Sequence, residues 1–531
     1  MEMKLIMKRY LKRYRSIAAM LCMTVMLSSM NGYSSAVSVN AAESSGTMTD
    51  YLSADISLDG TRQSTLQVQK LAAALYDKNL EYFSSRKGGF SWDTEKKKRS
   101  WTYYNGIMMD AYLMMDDCFT SDVSYYKAVN SFYDANISYI DKVAAVDTTG
   151  NSSNYYRETE LDSIPPVRAL FDLLKSDVPT EAEREKYTQL IMYVYDLMTV
   201  EYPTVEGTDG NFKHKYGSSN SGWSTYPVAL DGLYMAQPFF MEFANAIEDG
   251  TIDVTETGIT ADGLYSDVVA RMCWIGENLY DEKTGLYNHG WGPSAGVNGQ
   301  FWLRAVGWYA AALADVIGML PERFDTERNK LIAIEKQLFD GMLKYQDPEN
   351  GMWNNVIDHD LTLKGSKVSN LPETSGSALM AYAMLRSYSE GHIEQTYCEA
   401  GLRAFNGIVR ERLDSEGLQG IYISSGVGTT AESYLTKNYQ VNEAKGVAPL
   451  MMAACYANKA AERCYGTAHC LQGDVNGDGK LNISDVILLQ KWLISPSDTY
   501  LADSKAADLN NDGMLNDNDL DLMKTVLSEQ Y

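Results

Sequence analysis

Two twelve-residue segments near the end of the chain place oxygen-bearing side chains at the spacing of a calcium-binding loop. They begin at Asp474 and Asp508, and glycine stands at position 6 of both, where such a loop turns sharply. Calcium takes about six to eight oxygen ligands, which the loop supplies from positions 1, 3, 5, 7, 9 and 12. The predicted ligands of two Ca²⁺ ions are Asp474, Asn476, Asp478, Lys480 (by its carbonyl), Asn482 and Asp485, and then Asp508, Asn510, Asp512, Met514 (by its carbonyl), Asn516 and Asp519.

Other sequence patterns that bring a cofactor are missing from the rest of the chain. There is no H-E-x-x-H motif, no Cys/His spacing typical of zinc, and no phosphate-binding fingerprint of a nucleotide or dinucleotide site. We therefore expect no cofactor or metal for catalysis outside the calcium loops. Carboxylates, the five His residues and abundant aromatic side chains remain as the groups that could carry chemistry.

Helical periodicity predicts the elements that position these groups. Apolar residues follow the i, i+4, i+7, i+11 spacing of one helix face at 268–279, and those of 331–342 follow the similar helical spacing i, i+3, i+7, i+11. Further helices are predicted at 186–200, 303–319, 375–389 and 447–462, while alternating strand patterns are scarce. The pattern predicts an all-α body joined by functional loops. The predicted organisation is a signal peptide (1–42), a lead-in (43–64), the helical body (65–465), a linker (466–473) and the calcium module (474–531).

The first residues of the chain predict export. Six basic residues precede an apolar run at 17–27 that is too short for a stable membrane span, and 39–41 resembles a signal cleavage site. A membrane anchor is the alternative. The net charge of −24 argues against nucleic acid or an anionic membrane as a partner, and an acidic substrate would need local Arg, Lys or His. Cys464 and Cys470 are close enough to pair, but the sequence alone does not decide this.

Each calcium loop ends in Asp, where an ordinary EF-hand has Glu, and is followed by one apolar helix. The pair resembles the type I dockerin domain of cellulosome components, with two F-hand loops. The resemblance implies a cohesin module of a scaffoldin as partner, and a secreted protein attached to a cellulosome. The family's recognition positions are Ile483–Ser484 in one repeat and Asp517–Asn518 in the other. Because they differ, we expect one face to dominate cohesin contact, through Ile483, Ser484, Val486, Leu489 and Gln490.

Several segments of 100–460 resemble glycoside hydrolase family 105, the unsaturated rhamnogalacturonyl hydrolases, with the unsaturated glucuronyl hydrolases as more distant relatives. The most specific is 230–239, which reads LDGLYMAQPF. Others follow in family order at 101–106, 161–164, 212–215, 285–291, 302–309, 351–353 and 373–378. The resemblance implies an (α/α)6 barrel. Ala229, where the family usually has Trp, and the extra residues 217–221 depart from the pattern and change the predicted sugar-stacking surface.

The resemblance also implies a reaction. The substrate is an oligosaccharide left by a lyase, with a 4,5-unsaturated uronate at its end. Protonation at C4 and addition of water at C5 give a hemiketal that opens and expels the aglycone. Asp231 is the implied general acid and base, and we expect burial to raise its pKa. Asp162 is the implied second carboxylate. The implied substrate contacts are His214 and His289 by hydrogen bonds, Lys215 and Arg304 to the uronate, and Tyr103, Trp302 and Trp308 by stacking.

Three functions follow from these residues. The first is hydrolysis of unsaturated uronyl oligosaccharides from rhamnogalacturonan, a pectic polysaccharide. The second keeps the reaction but places the unsaturated uronate on a different neighbouring sugar. The third is a non-catalytic carbohydrate-binding barrel, which the alanine at 229 keeps open.

Overall fold

The computed structural model describes residues 101–119, 124–135, 159–216, 222–362, 365–414, 416–465, 472–476, 481–495, 499, 501, 504–510 and 514–529. The predicted signal peptide, the lead-in and most of the predicted linker lie outside these residues. So do Cys470 and three predicted calcium ligands, Asp478, Lys480 and Asp512. Among the described residues, no helix combines the length and apolar character needed to cross a bilayer.

Helices dominate the body of the chain. Their bounds are α1 (Tyr103–Phe119), α2 (Ser124–Ala135), α3 (Ala169–Lys175), α4 (Glu181–Asp196), α5 (Gly222–Thr225), α6 (Asp231–Glu248), α7 (Ala261–Asn278), α8 (Leu303–Met319), α9 (Asp325–Leu343), α10 (Thr374–Ser389), α11 (Gln395–Arg412) and α12 (Ala444–Tyr465). The helices predicted at 186–200, 303–319, 375–389 and 447–462 correspond to α4 with the π turn that follows it, α8, α10 and α12.

Six inner segments close a ring. They are α1, the turns and helix at 161–175, α6, α8, α10 and α12; each packs on the next, and α12 packs back on α1. Helices α2, α4, α7, α9 and α11 alternate with them in chain order. The predicted apolar face of α7 is fully buried at Val268, Met272 and Ile275. The architecture is an (α/α)6 barrel, and the predicted all-α fold is confirmed.

The first turns of the inner segments meet at one end of the ring. Arg304 near the start of α8 donates to Ser375 Oγ near the start of α10, with Nη1 and Oγ 3.1 Å apart. Gly376 permits this approach, since a Cβ there would lie 2.5 Å from Leu303 Cγ. Lys445 near the start of α12 lies 4.9 Å from the centre of the Tyr104 ring of α1. Helix N-termini carry partial positive charge, so this end of the barrel favours an anion.

A layer of buried charges crosses the barrel interior further along the inner helices. Arg168 lies 3.0 Å from Asp110, 2.8 Å from Glu242 and 3.4 Å from Asp315. Arg386 lies 2.6 Å from Asp315. Buried charges are tolerated when they are paired and hydrogen-bonded, and these pairs connect five of the six inner segments. The layer fills the interior with side chains.

Short strands join the helices in antiparallel pairs. They are β1 (Val228–Ala229), β2 (Tyr280–Asp281), β3 (Leu286–Tyr287), β4 (Gly290–Gly292), β5 (Gly296–Val297), β6 (Leu413–Asp414), β7 (Gly417–Leu418), β8 (Ile421–Tyr422) and β9 (Tyr439–Gln440). The order β1-β4-β5 forms one sheet, and the pairs β2-β3, β6-β7 and β8-β9 form the others. The β1-β4 pairing matters most for function because it lies next to α6.

The calcium module has its own hydrophobic core. Helices α13 (Ile483–Ile494) and α15 (Asp517–Glu529) pack together, with α14 (Ser504–Ala507) between them in sequence. Leu489 and Met523 are fully buried in this core. Asn482, at loop position 9, caps α13 by accepting a hydrogen bond from the Ser484 backbone N–H at 2.8 Å. Asn516 accepts the equivalent bond from Asn518 at the start of α15.

Candidate active site

Asp231 and His289 form the centre of the candidate site. Asp231 is the first residue of α6 and is buried. In the β1-β4 ladder Ala229 pairs with Gly290, and this register brings His289 Nε2 to 2.9 Å from Asp231 Oδ2. The backbone N–H of Leu230 also donates to the His289 carbonyl at 3.1 Å. Asp231 Oδ1 has no hydrogen-bond partner in the described part of the chain, and the side chain keeps 11% exposure.

Asp162 and His214 form a second carboxylate–imidazole pair beside the first. His214 Nε2 lies 3.4 Å from Asp162 Oδ1, and the His214 ring is close to Gly232 at the start of α6. Burial opposes protonation of His214, but the hydrogen bond and charge of Asp162, with smaller contributions from Asp231 and Glu160, raise the pKa of His214. The structure thus brings together four of the predicted site residues, two carboxylates and two imidazoles.

The expectation that burial raises the pKa of Asp231 is wrong. Burial does favour the protonated carboxyl. Electrostatic attraction and a hydrogen bond from His289, with smaller contributions from His214 and Arg304, outweigh it and lower the pKa of Asp231 below its ordinary value. These three neighbours are distant in sequence, so the local surroundings of Asp231 did not indicate the sign.

Arg304 belongs to a buried polar cluster next to the Asp231–His289 pair. Its Nη1 donates to the carbonyl of Tyr422 at 2.5 Å and lies 3.7 Å from Glu373 Oε1. Glu373 caps α10 by accepting from the Gly376 N–H at 2.7 Å. The guanidinium lies over the Trp302 ring, 4.5 Å from its centre. Arg304 is therefore held rigidly at the end of the barrel where the inner helices begin.

The stacking role predicted for two tryptophans needs correction. Trp302 is buried, with Arg304 over its ring and its Nε1 bonded to Asn355 at 3.0 Å. Trp308 is buried between Tyr234 and Tyr103. Neither indole leaves a face open for a sugar, because neighbouring side chains cover both. We assign Trp302 and Trp308 to packing around the site.

Two further predicted contacts lie at the edge of the site. Lys215 forms an ion pair with Glu160, and the two residues also form an isolated β-bridge. Tyr103 is partly buried, 4.1 Å from the ring of Tyr104. Lys215 therefore already has a carboxylate partner, whereas Tyr103 lies in the ring of helix starts that surrounds the site.

Trp223 lies beside Ala229 and next to both imidazoles of the site. It belongs to α5 and packs with Ala229, Tyr226 and Val427. Its indole stacks on the His214 ring at 4.2 Å with 20° between the planes, and it is nearly perpendicular to the His289 ring, with the ring centres 6.0 Å apart. Trp223 is only partly buried. Ala229 and the extra residues before Trp223 were the sequence signals that the surface differs here, and neither pointed to this side chain.

Two other residues of the site were not predicted from the sequence. Tyr434 contacts the second nitrogen of His289, with Oη and Nδ1 2.7 Å apart. Lys445 is buried 3.3 Å from Glu443, and burial together with the nearby Arg304 lowers its pKa to about 8. Both come from the last hundred residues of the body, far in sequence from the helix that carries Asp231.

Gly292–Gly296 has the spacing G-x-S-x-G of a nucleophilic serine motif. Its Ser294, however, is exposed in the β4-β5 hairpin and does not lie on a strand-to-helix turn, so it is not a nucleophile of that kind.

A comparison with protein families identifies the family of this barrel. The model described as Glycosyl Hydrolase Family 88 matches residues 79–461. The chain belongs to glycosyl hydrolase family 88. Its barrel is therefore a glycoside hydrolase domain of the unsaturated uronyl hydrolase families 88 and 105.

Proteins similar to this family 88 chain include two solved glycoside hydrolases and one shorter relative. A family 105 glycoside hydrolase from C. acetobutylicum is 25% identical with a TM-score of 0.53, covering 68% of this chain and 94% of that one. A family 88 hydrolase from Bacteroides vulgatus shares the fold at 19% identity and a TM-score of 0.50, covering 75% and 99%. "Protein Atu3128" of Agrobacterium fabrum is 33% identical over 201 residues, which are 33% of this chain and 83% of that protein.

A second family model, the dockerin type I domain, matches residues 472–528. Dockerin type I domains typically bind calcium, and a cohesin is the partner that such a domain implies. The predicted resemblance of this module is thus confirmed at the level of the family.

The described residues of both loops suit a calcium ion. Asp474, Asp485 and Asp519 are fully buried carboxylates. Asp485 braces its loop by accepting from the Asn476 and Asn482 N–H groups at 3.1 and 2.9 Å, and Asp519 accepts from Asn516 at 3.0 Å. Carboxylate and amide oxygens gathered out of water are the donor set of a hard cation. A divalent cation would offset the charge of these carboxylates.

Proposed function

We propose that the barrel removes 4,5-unsaturated uronyl residues from lyase-generated oligosaccharides of rhamnogalacturonan by hydration of the C4=C5 bond. Asp231 donates the proton to C4 and then accepts a proton from the water that adds at C5. The hemiketal formed at C5 opens and releases the neighbouring sugar. One carboxyl group suffices for both proton transfers, unlike an ordinary glycosidase, which needs two carboxylates about the anomeric carbon.

The observation that carries this proposal is the Asp231–His289 pair with the Asp162–His214 pair beside it. His289 engages Asp231 Oδ2 and leaves Oδ1 for the substrate. Asp162 and His214 supply a second carboxylate and an imidazole whose pKa is raised by that carboxylate, for the water or the sugar hydroxyls. Arg304 and the starts of the inner helices give this end of an acidic protein the local positive character that a uronate needs.

The experiment that tests this function follows the ultraviolet absorbance of the C4=C5 bond. Lyase-generated oligosaccharides carrying an unsaturated galacturonyl unit on rhamnose should lose absorbance with time and release the rhamnose-ended fragment. The same unsaturated uronate on glucosamine, galacturonate or glucose tests the neighbouring sugar. Faster loss on one of these substrates would move the proposal to a different polysaccharide. No loss on any of them would leave a carbohydrate-binding barrel.

The position of Trp223 supports a barrel that binds or hydrolyses a sugar, rather than one without a sugar site. Its indole is partly open to solvent and lies beside both imidazoles. Aromatic faces stack on sugar rings, so we propose this indole as the platform for the sugar next to the uronate. Ala229 then no longer supports the interpretation as a non-catalytic barrel.

The lowered pKa of Asp231 sets the expected pH dependence. Only the protonated carboxyl can donate to C4, and a lowered pKa leaves a small protonated fraction at neutral pH. We expect kcat/KM to rise as the pH falls from about 8 towards about 5, by about tenfold per pH unit above the pKa, since kcat/KM reports the free enzyme. Initial rates of absorbance loss across this range provide the measurement. A rate that peaks above neutral pH would contradict this assignment of the proton donor.

We propose that the protein acts outside the cell, attached to a scaffold protein through its dockerin. The exposed residues Ile483, Ile487, Gln490 and Ile494 follow i, i+4, i+7, i+11 and form one stripe on α13. The equivalent positions of α15, 34 residues later, are Asp517, Asp521, Lys524 and Ser528. The apolar stripe belongs to one repeat only, which supports docking through α13.

This stripe corrects two of the predicted cohesin contacts. Val486 and Leu489 are buried in the core of the module and are not available to a partner. Ile487 and Ile494, which were not predicted, take their place, with 46% and 77% exposure. Leu522 and Val526 of α15 are also exposed, but they occupy a different face, equivalent to Leu488 and Trp492 of α13.

Replacing Ile487→Asp should weaken cohesin binding by about 30-fold or more, because apolar anchors at the centre of an interface typically contribute about 2 kcal/mol or more. Asp521→Ala, at the equivalent position of α15, should change affinity by less than about threefold. Titration calorimetry of the calcium-loaded full chain against a panel of cohesins gives both affinities. Losses of less than about threefold from both changes would instead indicate that either repeat can dock.

A further inference from the structure

Tyr434 contacts the side of the His289 ring that faces away from Asp231. It lies in the short turn Ala431–Leu435, and its hydroxyl oxygen is 2.7 Å from His289 Nδ1. Both residues are fully buried. A neutral histidine has two tautomers, and the hydrogen on one nitrogen decides whether Nε2 donates to a carboxylate or presents a lone pair to it. A tyrosine hydroxyl can donate or accept, so this contact alone leaves the tautomer open.

Asn298 supplies the next constraint, because its amide can be oriented from its neighbours. Oδ1 lies 3.1 Å from the backbone N–H of Gly290, which can only donate. Nδ2 lies 2.9 Å from the carbonyl oxygen of Gly428, which can only accept. The two contacts assign the same orientation of the amide. Nδ2 therefore also donates to the hydroxyl oxygen of Tyr434 at 3.1 Å.

The hydroxyl oxygen of Tyr434 receives a second donor, the backbone N–H of Gly428 at 2.9 Å. With two N–H groups donating to it, this oxygen has used its acceptor capacity, and its own hydrogen must point to an acceptor. His289 Nδ1 is 2.7 Å away. The Gly428 carbonyl, at 3.5 Å, is the other acceptor within reach in the described part of the chain, and that distance is too long for a good O–H···O bond.

We propose that Tyr434 is a positioning residue which, with Asn298 and the Gly428 N–H, locks His289 as the tautomer protonated at Nε2. His289 then donates to Asp231 Oδ2 and has no free lone pair facing Asp231 that could take up the proton meant for the substrate. The catalytic consequence rests on the proposed function, whereas the tautomer itself does not. The titratable or charged groups around His289 and its hydrogen-bond partners are Asp231, Tyr434, His214 and Arg304.

Nitrogen NMR of the ¹⁵N-histidine-labelled full chain tests the tautomer without any substrate. The five His residues give few signals, and His289→Gln assigns the one of interest. In the native chain Nε2 should be protonated, while Nδ1 should resonate as a bare imidazole nitrogen. In Tyr434→Phe the signals should move towards a mixture of tautomers. Asn298→Ala, which removes one donor to Tyr434, should give a smaller shift in the same direction. A hydrogen on Nδ1 in the native chain would overturn the proposal.

Kinetics test the catalytic consequence. Tyr434→Phe should lower kcat about 10- to 100-fold with little change in KM, because loss of one partner of a buried hydrogen bond disturbs Asp231 and leaves the sugar contacts in place. Its pH profile should also change shape. Tyr287→Phe is the matched control, since that buried hydroxyl donates to Gln337 on α9, away from the site. An unchanged rate and pH profile in a Tyr434→Phe chain with mixed tautomers would refute the catalytic consequence. If the native chain itself has no activity, the NMR result still stands.

Discussion

Asp231→Asn is expected to abolish loss of the C4=C5 absorbance, lowering kcat by about 10³-fold or more. General acid–base catalysis typically contributes about 10²–10⁴-fold, and Asp231 is proposed to serve both proton transfers. Asparagine keeps an oxygen for the His289 Nε2–H, so the hydrogen bond at 2.9 Å and the start of α6 should survive. The barrel should therefore fold normally and still bind substrate.

The control for this change is Asp267→Asn, an exposed aspartate on α7. It should leave both rate and stability unchanged. Binding of the unsaturated oligosaccharide to Asp231→Asn, followed by tryptophan fluorescence, separates a lost proton donor from a lost pocket. Activity within about tenfold of the native chain would remove Asp231 from the proposed mechanism. Loss of binding together with rate would give it a structural role instead.

Removal of calcium is expected to unfold the dockerin and to eliminate cohesin binding, while the barrel keeps its activity. Asp474, Asp485 and Asp519 are buried, and without a cation the carboxylates of each loop repel one another. The core around Leu489 and Met523 is small, so it cannot hold the module together against this repulsion. Docking affinity should fall by about 10³-fold or more.

A chelator such as EGTA applied to the full chain gives the measurement. Far-ultraviolet circular dichroism should show a small loss of helix that returns on adding Ca²⁺ but not on adding an equal concentration of Mg²⁺. The hydrolysis rate measured in the same sample should change by less than about twofold, because no step of the proposed reaction uses a metal. A barrel that lost activity with the dockerin would show that the two units depend on each other.

The fold followed from the sequence because helix faces repeat locally. Val268, Met272 and Ile275 have the spacing of one helix face, and all three are fully buried. The short strand pairs carried no such signal. The pairing of Ala229 with Gly290 joins two glycine-rich or irregular stretches, and no alternation of apolar residues marks it. Periodicity therefore indicates helices, whereas the contact that creates the site arises from a two-residue ladder.

The site was predictable only in part, for a related reason. Asp231, Asp162, His214 and His289 were named from motif resemblance, and the structure places them together. The sign of the pKa shift at Asp231 was wrong because it depends on His289, 58 residues away. Tyr434 and Trp223 lie in loops whose sequences repeat no pattern. Only the folded chain shows which side chain fills the space beside Ala229.

The charged layer across the barrel has a consequence for the part of a substrate that we expect to reach Asp231. Behind Asp231, Tyr234 packs on Trp308. The Arg168 guanidinium lies 5.2 Å from the centre of the Tyr234 ring and also pairs with the carboxylates of the charged layer. These side chains fill the barrel interior behind Asp231, so we expect that no polymer threads through the barrel. We therefore expect only the terminus of a chain to reach Asp231. The protein should be exo-acting, releasing one terminal uronyl unit from each lyase fragment and leaving intact polysaccharide untouched.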